Sequence, residues 1–199
     1  GHSADMRAAT FAPDSKRVAT ASEDGTIRLW DSGGRLLQVL RAHGKDAVTA
    51  VFAPDGQRVL SASLDGTARL WDVQTGAAQG TLSGHEGPVL AAAFSPDGQR
   101  IATASGDHSA RLWDGAGQAL RMLQGHAEAV TAVSFAPDGK TLLTASTDRT
   151  ARLWDVESGA ARAALTGHSG AVQTAAFSPD GTLVLTASTD RTARLWTLG

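Results

Sequence analysis

Five tryptophans, Trp30, Trp71, Trp113, Trp154 and Trp196, are the only ones in the chain, and they recur at intervals of 41, 42, 41 and 42 residues. A period this regular means that one supersecondary unit is written five times over the 199 residues, as 1–41, 42–83, 84–124, 125–166 and 167–199. A unit of that size cannot bury its own apolar face, so the units must stack on one another. Residues repeated in every unit then hold the fold, and function has to come from positions where the units differ.

Alignment on tryptophan brings further features into register. Each unit opens with a small residue and a histidine: Gly1-His2, Ala42-His43, Gly84-His85, Gly125-His126 and Gly167-His168. Nine residues after each histidine stands Phe11, Phe52, Phe94, Phe135 or Phe177, followed by Pro-Asp at 13–14, 54–55, 96–97, 137–138 and 179–180. Glycine completes this turn in four units, and Ser15 takes its place in the first. Proline presets φ, aspartate accepts local amide bonds and glycine tolerates positive φ, so Pro-Asp-Gly between apolar runs predicts a hairpin. A second tight turn precedes each tryptophan: Asp24-Gly25-Thr26, Asp65-Gly66-Thr67, Asp107-His108-Ser109, Asp148-Arg149-Thr150 and Asp190-Arg191-Thr192. Short runs between turns, such as Val59–Ser63 and Thr67–Trp71, read as antiparallel strands. Three strands are expected between histidine and tryptophan, and a fourth, such as Ala78–Leu82, after it.

The order Gly-His, Pro-Asp-Gly, Asp-x-Thr, Arg-Leu-Trp-Asp at this period resembles the WD-repeat (WD40) family of β-propellers. The resemblance covers the whole chain. It implies an all-β fold of five four-stranded blades around a channel, the last blade lacking its outer strand. It also implies a buried hydrogen-bond network within each blade. The members are His2, Ser22, Asp24 and Trp30; His43, Ser63, Asp65 and Trp71; His85, Ser105, Asp107 and Trp113; His126, Ser146, Asp148 and Trp154; and His168, Ser188, Asp190 and Trp196. A buried indole N–H, hydroxyl and imidazole each need a partner. Five copies of Ser, His and Asp therefore argue for structure rather than for a hydrolase, which needs its triad once, beside an oxyanion site.

The remaining suggestive residues read the same way. Arg28, Arg69, Arg111, Arg152 and Arg194, each two before a tryptophan, are expected to pack along the blades and pair with nearby carboxylates. His108 lies on a turn and reads as solvated. No phosphate loop, paired acid/base carboxylates or metal-ligand spacing is present, so no enzyme activity, metal or cofactor is expected. Cysteine is absent, which excludes disulfides and thiolate metal sites. The net charge of −2 gives no field favouring nucleic acid or an anionic membrane. No apolar stretch approaches a membrane span, and the expected setting is a soluble cytoplasmic one. The Arg- and Ala-rich, Lys-poor composition points to a high-GC bacterial genome.

In related propellers the channel entrance is lined by residues three and five positions after the histidine and just before the turn aspartate. That carries over here to Asp5, Arg7 and Glu23 in the first unit, and to Leu64, Pro88 and Leu90 in the second and third. Thr131, Thr147, Gln173 and Thr189 come from the fourth and fifth. The second unit reads as shifted by one residue, leaving its register near Val48 unassigned. A rim charged on one side, apolar on another and polar elsewhere suits a peptide or protein partner, and the expected function is a non-catalytic interaction scaffold. A carbohydrate-binding propeller is the competing reading; it requires a shared pocket in every gap between blades. The last unit is some eight residues short, and the chain opens in mid-motif. Five blades shaped for sevenfold closure would leave a gap and two exposed apolar faces. Three outcomes are open: a piece of a longer propeller, which is favoured, a steeper five-bladed ring, or assembly with other copies of the chain.

Overall fold

The computed structural model describes residues 1–198, which form nineteen strands and no helix. The first sheet contains β1 (Met6–Phe11), β2 (Arg17–Ser22), β3 (Thr26–Asp31) and β4 (Leu36–Arg41). The second contains β5 (Ala47–Phe52), β6 (Arg58–Ser63), β7 (Ala68–Asp72) and β8 (Ala78–Leu82). The third contains β9 (Val89–Phe94), β10 (Arg100–Ser105), β11 (Ser109–Asp114) and β12 (Ala119–Gln124). The fourth contains β13 (Val130–Phe135), β14 (Thr141–Ser146), β15 (Thr150–Asp155) and β16 (Ala161–Thr166). The fifth stops after β17 (Val172–Phe177), β18 (Leu183–Ser188) and β19 (Ala193–Thr197). Every sheet is an antiparallel meander in chain order, so the fold is a five-bladed propeller with a partial last blade.

The turns show why the chain reverses where it does. Gly56 adopts φ 67° after Pro54-Asp55, and the Asp55 carboxylate accepts the amide of Gln57 at 2.8 Å. Ser15 holds the same left-handed conformation without glycine, at φ 57°. In the second turn aspartate closes the loop twice: Asp65 Oδ1 accepts both the amide and the hydroxyl of Thr67, at 2.9 and 2.7 Å.

Successive blades pack face to face, and the same two faces meet each time. The outgoing face is aliphatic, with Leu60, Ala62, Ala68, Leu70 and Leu82 in the second sheet. The incoming face of the third carries Val89, Ala92, Phe94, Ile101 and Trp113. Equivalent residues meet between the first and second, third and fourth, and fourth and fifth sheets. The innermost strands β1, β5, β9, β13 and β17 contact one another in series, and the first and fifth sheets make no comparable contact among the described residues. The two end faces are consequently bare.

Candidate functional site

Each innermost strand carries one β-bulge, at the same place. Pairing with the second strand of the sheet skips Arg7 in β1, Val48 in β5, Leu90 in β9, Thr131 in β13 and Gln173 in β17. A bulge leaves one residue out of the ladder and re-aims its side chain. These are the positions five residues after each histidine. Beside each bulge the residue before the turn aspartate donates its amide to the carbonyl three after the histidine. Glu23 donates to Asp5 at 2.9 Å, Leu64 to Asp46 at 3.1 Å, Gly106 to Pro88 at 2.9 Å, Thr147 to Ala129 at 3.0 Å and Thr189 to Ala171 at 2.9 Å.

These bonds correct the reading of the second unit. It is not shifted: Asp46 and Val48 occupy the places of Asp5 and Arg7. The nine-residue spacing from His43 to Phe52, identical to that of every other unit, is the signal that fixes this register. Asp46 matters electrostatically. The Arg7 guanidinium lies 2.7 Å from Glu23 and 3.7 Å from Asp46, so one cation bridges the carboxylates of two blades. Two blades on, the Thr131 hydroxyl donates to the carbonyl of Val172 at 2.8 Å, tying the fourth innermost strand to the fifth.

Behind the rim stands the network of each blade. In the third, the Trp113 indole donates to Thr103 Oγ1 at 2.9 Å, and that hydroxyl lies 2.8 Å from His85 Nε2. His85 Nδ1 is 2.8 Å from Asp107 Oδ2. With a neutral imidazole beside an ionised Asp107, the three contacts are met when Thr103 donates to Nε2 and the imidazole donates from Nδ1 to the carboxylate. Burial pushes the pKa of His85 down, and Asp107 only partly restores it. His43 and His126 shift the same way, again through burial opposed by Asp65 and Asp148. Burial would raise the Asp107 carboxyl, but hydrogen bonds from Ser109 and His85 prevail and bring it down to about 2. The contact is a neutral imidazole donating to a carboxylate.

The bridging hydroxyl is not the expected serine. Thr20, Ser61, Thr103, Thr144 and Thr186 fill that role, two residues before Ser22, Ser63, Ser105, Ser146 and Ser188. Strand alternation explains the difference. The indole sits opposite the residue twelve before it, Val18 in the first blade, so its N–H reaches the same-face neighbour Thr20 and not Ser22. The serines cap the turn instead: Ser22 Oγ accepts the amide of Asp24 at 3.1 Å and donates to the carbonyl of Ala4 at 3.2 Å. In the second blade Ser61, His43 and Asp65 are connected like a hydrolase triad, but Ser61 is fully buried and its oxygen accepts the Trp71 indole at 3.0 Å.

The carboxylate pairing expected of the repeated arginines is also corrected. Among the described residues only Arg28 reaches an acid, at 3.9 Å from Asp24. The Nε atoms of Arg28, Arg69, Arg111 and Arg152 are buried without a hydrogen bond. The aspartates are already occupied by histidine, hydroxyl and amide donors. His108 is an exposed turn residue with φ 71°.

A cleft of about 520 Å³ lies on the fourth blade itself, lined by Ala127, Glu128, Thr147, Asp148 and Arg149; the other clefts lie between blades, and their linings differ. One, of about 460 Å³, is lined by Arg17, Gln38, Gln57 and Asp72; another, of about 420 Å³, by Arg100, Lys140, Glu157 and Arg162. A third, between the fourth and fifth sheets, is lined by Leu153, Leu165, Thr182 and Leu198. A sugar site shared by every gap would need the same lining each time.

The family description "WD domain, G-beta repeat" matches the chain five times, at residues 1–31, 34–72, 76–114, 117–155 and 159–197. No curated protein matches the chain.

Proposed function

Because the chain belongs to the WD-repeat family, whose repeats mediate interactions between proteins, we propose that it is a non-catalytic scaffold that captures a peptide at the ring of bulges. The observation that carries this reading is the contrast between framework and rim. The His–Asp–hydroxyl–Trp network is built alike in all five blades, whereas the bulge residue changes each time, from Arg7 through Val48, Leu90 and Thr131 to Gln173.

The chemistry of the rim specifies the peptide. Glu23 and Asp46 flank the guanidinium of Arg7, and Asp5 adds a third acidic residue to this part of the rim, so the first two blades present surplus negative charge. Val48, Leu64, Pro88 and Leu90 follow as an apolar arc, and Thr131, Thr147, Gln173 and Thr189 as a polar one. An extended segment with one basic residue beside two or three apolar ones complements this order. Charge placed at the rim favours on-rate and orientation, while the apolar arc supplies the desolvated contact.

The experiment is a selection from a displayed random-peptide library, followed by titration calorimetry of the winning peptide. Glu23→Lys and Leu90→Asp should each weaken it by about tenfold or more, equivalent to about 1.4 kcal/mol. Recovery of a peptide that ignores both substitutions but is lost on changing Gln57 or Lys140, in the gaps between blades, would overturn the reading.

A further inference from the structure

The Pro-Asp turns and the loops that follow each tryptophan lie at the strand ends opposite the ring of bulges. There the second strand of each of the first three blades opens with an arginine, Arg17, Arg58 or Arg100. Across the joint, the next blade presents the residue directly after its Trp-Asp pair, which is Val73, Gly115 or Val156. Two of the three guanidinium groups reach its carbonyl. Arg58 donates to Gly115 at 2.6 Å and to Gly98 at 3.0 Å, and Arg100 donates to Val156 at 3.2 Å. Arg17 instead turns back to its own turn, where its Nε donates to Asp14 at 2.9 Å. Among the described residues the Val73 carbonyl has no donor.

The aspartate beside that carbonyl is open as well. In the outer strand of each four-stranded blade the ladder skips one residue: Leu37, Gln79, Leu120 and Arg162. In the fourth blade the skipped Arg162 pairs with Asp155, and in the first Arg35 pairs with Asp31 at 3.0 Å. In the second blade the skipped residue is Gln79, whose amide lies 3.4 Å from Asp72 Oδ2. Asp72 Oδ1 accepts the amide and the hydroxyl of Thr75, both at 2.8 Å, and these bonds hold the carboxyl below its ordinary range. Asp72 is therefore an anion with one oxygen weakly engaged and no cation paired to it.

Both open acceptors line the cleft of about 460 Å³ between the first and second blades, with Gln57, Gln74 and Leu37 beside them. In the equivalent cleft between the third and fourth blades, Val156 and Asp155 already hold Arg100 and Arg162. We propose that the first cleft binds a guanidinium from outside the chain, the group that the protein supplies to itself at the equivalent place. A carboxylate next to a carbonyl matches the planar fork of guanidinium donors, which an ammonium engages only as a point charge. Leu37, 40 % exposed, gives the aliphatic stem an apolar wall. Arg17 also lines the cleft, but Asp14 matches its charge, so the charge of Asp72 is left for the ligand. An arginine of a partner protein and a free guanidino compound carry the same recognition chemistry. The cleft lies at the opposite end of the strands from the ring of bulges, and the inference stands apart from the peptide reading.

NMR titration of the isotope-labelled intact chain with N-acetylarginine amide tests it. Saturable shifts are expected at Gln57, Asp72 and Val73, in the millimolar range suited to a single group. Binding should be about threefold or more tighter than with N-acetyllysine amide, and absent with neutral N-acetylcitrulline amide. Asp72→Asn should weaken the arginine probe by about fivefold or more. That change also touches the Thr75 loop, so Gln79→Arg provides an independent check. It places a guanidinium where the fourth blade has Arg162, fills Asp72 from within the chain and should abolish binding with an unchanged β-sheet spectrum. A parent without shifts at Asp72 and Val73 overturns the site, and so do shifts confined to Glu23 and Asp46 at the rim. Undiminished binding by Gln79→Arg overturns it too, and equal binding of the arginine and lysine probes overturns the guanidinium assignment. The same arginine within acetyl-Ala-Ala-Arg-Ala-Ala-amide tells the two sources apart. Tighter binding than the single residue identifies an arginine of a partner protein, and equal or weaker binding a free guanidino compound.

Discussion

The Thr103 hydroxyl stands between Trp113 and His85, accepting the indole N–H at 2.9 Å and lying 2.8 Å from the imidazole Nε2. It joins β10 to β11 and to the segment that enters β9, so one oxygen spans the three inner strands of a blade. Thr103→Val keeps the shape and removes both bonds, leaving two buried polar atoms without partners. Each orphan costs about 1–3 kcal/mol, so a loss of about 2–6 kcal/mol is expected from urea unfolding. Thr103→Ser should recover most of it. Equal stability of the valine and threonine proteins would remove the network from the account of the fold.

Leu143 and Leu185 provide a matched pair, the same residue in successive repeats. Leu143 is fully buried in the joint of the fourth and fifth blades, and Leu185 is half exposed on the bare end face. Leu143→Ala should cost about 2–5 kcal/mol through lost burial and the cavity left behind. In dilute, monomeric protein Leu185→Ala should stay within about 0.5 kcal/mol of the parent. Comparable losses for the two would mean that the fifth blade's outer face is covered within a single chain.

Acid should weaken the fold in two stages. The folded-state pKa values of His43, His85 and His126 lie below the ordinary 6.5, because burial disfavours the cation more than the aspartate partner favours it. Their contribution is complete above pH 6.5 and declines as pH falls below it, since the unfolded chain takes up the protons first. Asp107 and Asp148 are lowered from 3.8 to about 2, so their contribution holds above 3.8 and is lost towards 2. Urea midpoints should therefore fall from pH 7.5 to 5.5 and again from 4 to 2. A higher midpoint at pH 5.5 than at 7.5 would show that the histidines are charged in the folded protein.

Framework and rim should separate cleanly in thermal melts. Trp113→Ala removes a fully buried aromatic and one member of its network, and should cost about 3–5 kcal/mol. Leu90→Ala and Arg7→Ala alter side chains outside the strand ladder, and each should fall within about 0.5 kcal/mol of the parent. A large loss with Arg7→Ala would make its bridge from Glu23 to Asp46 part of the framework.

The hairpins were legible because their causes are local. Pro-Asp-Gly and Asp-x-Thr carry their own φ preferences and side-chain acceptors, so the strands could be placed from turn chemistry and the tryptophan period alone. The bulge positions were legible from the resemblance, apart from Val48 and Asp46, where the His43–Phe52 spacing would have fixed the register. The sequence does not separate the bridging hydroxyl from Ser22 and its equivalents, because both candidate positions carry small hydroxyl residues in all five units. Which hydroxyl meets the indole depends on cross-strand pairing, and the composition of one strand does not contain it.

Five copies of one unit, the identity of its turns and the apolar character of both blade faces are written in the sequence, since each follows from residues a few positions apart. Where those faces meet is a different matter. Leu143 and Leu185 are indistinguishable along the chain, and only the stacking of whole blades decides that one is buried and the other bare. Burial between blades is set by neighbours about forty residues away and by whether the series closes on itself, which no single repeat encodes.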